Sequence, residues 1–431
     1  MIIEFAVTNF RSIKDRQVMD FRVDGQIGNK QLVDHITLPK DRSHGKGLVK
    51  TTAIYGANAS GKSNFLKALY ALEYMVINSD SFKLDKPVPT YEPFKLDKTS
   101  TTEPTIFEIE FIAKDKKRYR YEIHFDKNAI LSEELSLYEL DRKSSRRGSI
   151  FKRTADRAII WEEKKDFSLN PNQLLLSKAG TNDVPSIREA YRFFSTYLFY
   201  GAAQNTSFDE AMLRTAETIL SDQTTEHHKL KKMIVSIIQA ADTGITNIFT
   251  HDLDTTKLNL PEEMPDEEKN KILERFKKRI KTIHPLYENG IEVGETDFDL
   301  SAESTGTMKL VGLAGVVAQA LDDGSVIVID ELDKNLHPLL TRMIIGLFHN
   351  PEFNQKNAQL ILTTHDISLI DLTLFRRDQI MLIDKDIEGK SSVKRLSDFT
   401  GISRVKQLEK WYMAGMFNAV PAINDYQIEM N

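Results

Sequence analysis

TTAIYGANASGKSNFLKAL, residues 51 to 69, is the stretch on which the fold turns. The short apolar run ending at Tyr55 reads as a strand. Gly56 through Ser63 spell G-x-x-x-x-G-K-S, and Phe65, Leu66, Leu69 and Leu72 recur at helical spacing. A strand, a phosphate loop and a helix thus follow one another. Gly56 and Gly61 permit turns that a Cβ would obstruct, so successive N–H groups converge on phosphate oxygens with the positive end of a helix behind them. Lys62 reaches the terminal phosphates as a point charge, and Ser63 offers a hydroxyl to Mg²⁺. Gly56, Asn58, Ser60, Gly61, Lys62, Ser63 and Asn64 are therefore the candidate nucleotide-binding residues. The pattern alone also matches glycine-rich turns by chance; the strand before it and the amphipathic helix after it make the nucleotide reading the better one.

The whole chain sets the bounds. Its 431 residues allow roughly two to three domain-sized units. With 41% apolar and 28% charged residues the composition is that of an ordered soluble protein. No cysteine is present, which excludes disulfides and thiolate metal sites and favours a cytoplasmic location. The opening MIIEFAVTNFRS carries Glu4 inside its apolar run and lacks the basic start of a secretory signal. No apolar stretch approaches the roughly 20 residues a bilayer requires, so no membrane partner is expected. A net charge of −5 leaves DNA or RNA contact to local basic patches.

Along the chain, Ile3, Phe5 and Val7 alternate with less apolar neighbours as in a strand, and Gln17 to Val23 reads as a second. Arg11, at the end of the first, is as readily a solvated arginine as a neighbour of the nucleotide. Three prolines mark 78–100 as a loop. Thr105 to Ala113, Arg118 to Phe125 and Leu135 to Leu140 follow as antiparallel hairpins, a β-rich arm. Arg142, Lys143, Arg146, Arg147, Lys152, Arg153 and Arg157 then crowd together. A solvated loop is the favoured reading of that run and a phosphate-tracking patch the alternative. From Asp209 to Asn289 the pattern is mostly helical, as in Leu230, Ile234, Ile237 and Ile238. An acidic turn at Glu262 to Glu268 precedes an expected basic helix with Arg275, Lys277, Lys278, Arg279 and Lys281. His227 and His228 are adjacent and read as surface histidines rather than metal ligands.

The C-terminal third completes the site. Leu300 to Thr307 opens a helix continued by Leu310, Leu313, Val317 and Leu321, and Ser304 with Gly306 at its start suits an anion. Ser325 to Ile329 is a continuous apolar run typical of a buried parallel strand, ending in Asp330 and Glu331. Asp330 can hold Mg²⁺, and Glu331 can orient or deprotonate an attacking water. Gln359 to Thr363 is a further strand, after which His365 is placed to contact the γ-phosphate or its attacking water. An apolar run ending in two acids is common by itself; this order behind a phosphate loop is not.

The ordered set GANASGKS, ESTGT, VIVIDELDKNLHP and LILTTHD resembles the ABC-type ATPases of the SMC, RecF and OLD-nuclease lineage. It is most similar to the stand-alone AAA family ATPases that include RloA and the AriA subunit of the PARIS phage-defence system. Asn9 to Ser12, Ala241 to Ile245, Arg376 to Ile380 and Trp411 to Pro421 look like recurring features of that group. The resemblance implies an α/β fold: an ABC-ATPase-like P-loop NTPase head with a mixed sheet, a β-rich arm and an inserted helical subdomain. Residues 1–205 would form the first part of the head with its arm, 206–292 the helical insertion, and 293–431 the second part of the head. It also implies a homo-oligomer, at least a dimer with ATP sandwiched between copies, and a larger ring on the pattern of AriA. Lys62 and Ser63 of one subunit and Ser304 and Gly306 of the other would hold one ATP, with Ser63 and Asp330 serving Mg²⁺. Glu331, His365 and Lys62 would be catalytic, and Asp333 would lie on the subunit-to-subunit loop. Three departures stand out: Ser-Thr-Gly-Thr replaces Leu-Ser-Gly-Gly-Gln, Lys334 and Asn335 replace the group's frequent Asn and Ser, and no glutamine is assignable to the metal.

Three functions are compatible with these residues. The favoured one is an ATPase switch that controls a separate effector, such as a TOPRIM nuclease, in bacterial anti-phage defence. The alternative is a RecF- or SMC-like DNA repair or chromosome-maintenance ATPase that binds DNA through its basic runs. A self-contained OLD-type nuclease is disfavoured, because the roughly 65 residues after His365 are few for a further metal domain.

Overall fold

The computed structural model describes residues 1–24, 35–37, 47–140, 145–154, 159–161, 167–200, 208–222, 224, 227–241, 243–253, 264–265, 269, 278–401, 407–417 and 419–420. The chain forms two compact units, one of Met1–Tyr200, Gly324–Asp333 and Arg342–Asn431, the other of Gly201–Asp323 and Lys334–Thr341.

The first unit contains two large sheets. β1 (Ile2–Thr8) pairs antiparallel with β2 (Gln17–Asp20). β3 (His35–Thr37) and β4 (Gly47–Val49) form a separate two-stranded ladder, and β4 leads into β5 (Thr51–Gly56), buried at every position. The hairpin strands read from the sequence are β6 (Thr105–Ile112), β7 (Arg118–Phe125) and β8 (Ile130–Leu140). They continue through β9 (Ser145–Arg153) and β10 (Ile159–Trp161). These strands extend the sheet begun by β1, in the order β10-β9-β8-β7-β6-β1-β2. In the β1–β6 pair, Phe5 lies opposite Ile109.

The second sheet has the order β11-β15-β16-β5-β17-β18, formed by β11 (Leu198–Tyr200), β15 (Val326–Ile329), β16 (Gln359–Thr363), β5, β17 (Ile380–Lys385) and β18 (Ser391–Arg395). All its pairings are parallel except β17 with β18, so the fold is α/β with a mixed sheet. Continuous apolar runs at β15 and β16 are the composition that burial on both faces demands. Gln359 is completely buried and joins the two sheets: its Oε1 accepts the Ile2 N–H at 2.8 Å, and its Nε2 donates to Val49 O at 3.1 Å. The core between them gathers Phe5, Phe107 and Phe111 with Leu66, Leu69 and Leu72 of α1 (Lys62–Asn78). It also takes in Phe193 and Phe194 of α3 (Arg188–Thr196), and the Phe111 and Phe193 rings stack at 4.1 Å.

The basic run differs from the solvated loop expected of it. Where described it is strand β9, because period-two alternation turns Phe151 and Arg153 inward and Lys152 outward. Arg153 is 2% exposed and donates to Gln173 O at 2.6 Å, with Glu133 at 4.0 Å. Glu133 in turn accepts the Leu175 and Leu176 N–H groups at 2.7 and 2.9 Å, at the start of α2 (Leu175–Thr181), where a helix dipole favours an anion. Arg147 donates to Glu134 at 2.6 Å. Arg142, Lys143, Arg157 and the Arg146 side chain lie outside the described residues.

In the second unit, α4 (Phe208–Ser221) and α5 (His228–Ala240) are followed by β12 (Asn247–Asp252), β13 (Lys278–Glu288) and β14 (Ile291–Asp299) in a three-stranded meander. Among its described residues the insertion therefore combines helices with a sheet and is not helical throughout. Lys278, Arg279 and Lys281 stand on a strand in place of the expected helix, since buried Ile280 and Thr282 alternate with Arg279 and Lys281 at period two. Arg275 and Lys277 lie outside the described residues, as does most of the acidic turn at Glu262 to Glu268. His227 bonds Asp222 and is part-buried. A long helix, Thr305–Asp323, completes the unit. Among the described residues no helix is long and apolar enough to cross a membrane.

Candidate functional site

Parallel pairing places the carboxyl ends of β15, β16 and β5 side by side, with Ile329 opposite Leu362 and Thr363 opposite Ile54. Neighbouring strands lie about 4.8 Å apart, so the loops leaving these ends share one small region. The phosphate loop leaves β5. Gly61 has φ 109°, and a Cβ there would collide with the Ser391 and Ser12 hydroxyls. At Gly56 a Cβ would meet Ile383 O. The two glycines thus let the loop lie against its supports at the start of α1, with the Ser60 N–H turned back onto Ala57 O at 3.2 Å. Asn64 Nδ2 donates to Ser12 Oγ at 2.7 Å, and Ser391 Oγ donates to Ser60 O at 2.5 Å. The Ser60 hydroxyl is buried without a hydrogen-bond partner among the described residues. Asn58 is exposed and Ser63 half-buried at the mouth of the loop.

Lys62 is 7% exposed, and its Nζ donates to Gly56 O at 2.8 Å and Ala57 O at 3.0 Å. Desolvation holds its pKa below the ordinary lysine value, against the opposing pull of Asp330, Glu331 and Asp333. The lysine and the three carboxylates therefore share one electrostatic neighbourhood.

Asp330 follows β15, and its Oδ1 accepts the Thr363 hydroxyl at 2.5 Å. That hydroxyl also accepts the Glu331 N–H at 2.8 Å, and Glu331 has φ 50°, a left-handed turn that redirects the chain immediately after the strand. Asp333 Oδ2 accepts the His365 N–H at 3.3 Å, while its Oδ1 is buried without a hydrogen-bond partner among the described residues. The His365 side chain is exposed. Lys62, Asp330, Glu331, Asp333 and His365 are thus brought together, and Ser63 lies one residue from the lysine.

Ser304 and Gly306 belong to the other unit. The Ser304 hydroxyl accepts the Thr307 N–H at 3.1 Å, which makes it the N-cap of the Thr305–Asp323 helix. Gly306 lies under Asn335: an added Cβ would come 2.7 Å from Asn335 O. Beside it, Lys309 Nζ donates to Lys334 O at 2.6 Å. Lys334 and Asn335, two of the departures noted above, therefore pack onto the first turns of this helix.

Sequence reasoning did not single out Thr363, Ser12 or Ser391. Thr363 was legible only as the last residue of a strand; nothing local marks a threonine that binds a carboxylate 33 positions away. The two serines stand at opposite ends of the chain and meet only at Gly61, where Ser391 Oγ lies 2.8 Å from Ser12 Oγ.

A family profile described as "AAA ATPase domain" matches residues 1–370. Among solved structures, an SMC head bound to the C-winged helix domain of ScpA is 13% identical, with 91% of this chain and 96% of that one covered and a TM-score of 0.42. The SMC head domain from Thermotoga maritima is 14% identical, at 91% and 98% coverage and a TM-score of 0.37. The recombination mediator protein RecF with ATP is 15% identical, at 85% and 92% coverage and a TM-score of 0.33. These structural likenesses are distant, and the profile match over most of the chain carries the assignment: this chain belongs to the AAA ATPase domain family.

Proposed function

We propose that this protein is an ATP-hydrolysing switch that closes on a second copy of itself around ATP and controls a separate effector, such as a TOPRIM-type nuclease, in anti-phage defence. The observation that carries the ATPase part is the gathering of Lys62, Asp330, Glu331, Asp333 and His365 beside the phosphate loop. The defence part is supported by the sequence resemblance alone. Buried Arg153 and paired Arg147 weaken the DNA-binding alternative, which relied on them as a free basic patch.

The residues fit the group they would hold. The loop is shaped so that a Cβ at Gly61 has no room, and Lys62 satisfies itself on its own loop's carbonyls, contacts that phosphate oxygens would replace. Ser63 and Asp330 supply hard oxygen donors of the kind Mg²⁺ prefers. When bound, Mg²⁺–ATP supplies the phosphoanhydride bond and a metal that neutralises charge building on its oxygens. Lys62 binds the terminal phosphates, and the loop amides bind those behind them. Glu331 orients the attacking water and takes its proton. His365 donates a hydrogen bond toward the γ-phosphate, with its backbone anchored by Asp333. Thr363 fixes both acids, and Ser304 and Gly306 close the site from the facing copy.

Light scattering and phosphate release with Mg²⁺–ATP test this. Glu331→Gln is expected to keep ATP binding, to lose roughly 100-fold or more in hydrolysis, and to accumulate the closed dimer. A Glu331→Gln protein that hydrolyses ATP at the normal rate, or an association state and shape indifferent to Mg²⁺–ATP, sinks the proposal.

A further inference from the structure

The short helix Leu408–Met413 carries Tyr412, which is 7% exposed and points under the phosphate loop. Its hydroxyl donates to Ala419 O at 2.9 Å and faces the backbone N–H of Gly56, the first glycine of the loop; burial pushes the phenol pKa up, and that N–H opposes the rise. Its ring meets the Tyr55 ring edge-on at 5.9 Å. Tyr55 is the last side chain of β5 before that glycine, is 1% exposed, and donates its hydroxyl to Asp366 O at 3.3 Å, directly after His365. One continuous contact path thus runs from the C-terminal helix through Tyr55 to the strand end that feeds the phosphate loop and to the segment that bears His365.

We infer that Tyr412 is a positioning residue: through Gly56 and through Tyr55 it sets the phosphate loop and the His365 segment relative to each other. It thereby makes ATP turnover depend on the docked C-terminal helix. This inference rests on the ATPase reading above. The physical reason is that Gly56 is the last residue of β5, paired with Ile383 at the end of the β5–β17 ladder, and the chain turns away from the sheet directly after it. A hydroxyl held there by a buried ring fixes the direction of that turn, and a second ring carries the constraint to Asp366. The opposite face of the same helical segment presents Trp411 at 38%, Met413 at 59% and Met416 at 57% exposure, so whatever moves this segment moves Tyr412.

Tyr412→Phe tests the inference, since it keeps the ring contact and removes the hydroxyl that bonds Ala419 O and faces the Gly56 N–H. Tyr55→Phe removes the link to Asp366 alone and serves as a second variant. In each, kcat for ATP is expected to fall roughly five- to tenfold with KM within about twofold, because orientation and not binding is lost. In the nucleotide-free protein, amide exchange is expected to quicken at residues 56–61 and 364–369, not only in the C-terminal helix. Exchange that quickens only within 407–417, or an unchanged kcat in both variants of an active protein, overturns it. If the wild-type chain turns over no ATP, the proposed function fails, while the exchange pattern still decides the Tyr412 relay.

Discussion

Thr363 donates its hydroxyl to Asp330 at 2.5 Å while accepting the Glu331 N–H at 2.8 Å, so one side chain on β16 orients both acids that follow β15. Thr363→Val preserves shape and removes that link. A buried hydrogen bond to a charged group is worth about 1.5–3 kcal/mol, and the unsatisfied Glu331 amide adds to the loss. ATP hydrolysis is expected to fall at least tenfold, with a lower melting temperature. Phosphate-release kinetics and thermal melts check this, and near-normal turnover would remove Thr363 from the site.

Lys62 is a buried lysine whose pKa is lowered by desolvation against the pull of Asp330, Glu331 and Asp333, and in the proposed function it meets the terminal phosphates. Lys62→Ala is expected to weaken ATP affinity by about tenfold or more, measured with a fluorescent nucleotide. Lys62→Arg is expected not to restore it, since a planar fork does not replace a point charge in that small space. Retained affinity in Lys62→Ala would contradict phosphate contact by this lysine.

Gly306→Ala sets two effects against each other. Alanine improves helix propensity by about 1 kcal/mol, but its Cβ would stand 2.7 Å from Asn335 O, and overpacking costs about 1–3 kcal/mol. Steric conflict with a backbone carbonyl is expected to win. The variant should melt lower than wild type and lose Mg²⁺–ATP-dependent dimerisation; a more stable, fully dimerising variant would show that the helix start yields freely.

Acid sensitivity is expected at the exposed side of β7. A hydrogen bond from His124 holds Glu122 down to about 2 from its ordinary 4.5, with Arg120 aiding at 3.2 Å and burial opposing. The folded pKa is depressed, so the stabilisation is present above 4.5 and drains away as pH falls toward 2. Melting temperatures from pH 6 to pH 3 should fall less steeply in Glu122→Gln than in wild type. Parallel curves would show that this carboxylate does not contribute to the slope.

The sequence by itself determined the strand, phosphate loop and helix at 51–78 and the apolar strands ending in Asp330 and at Thr363. Each is a local object: backbone conformation and side-chain period are set by residues a few positions apart. It also allowed the α/β class, because buried parallel strands write themselves as continuous apolar runs. The tertiary structure alone decided which of those strands became neighbours, and hence that Thr363 serves Asp330, that Ser12 and Ser391 flank Gly61, and that Tyr412 reaches Gly56. It also decided that Arg153, one of a crowd of bases, is turned inward to Gln173, and that Lys278, Arg279 and Lys281 lie on a strand. Hydrogen bonds between distant segments depend on sheet order and register. A period of 3.6 or 2 tells which face of an element is buried, not what that face will meet.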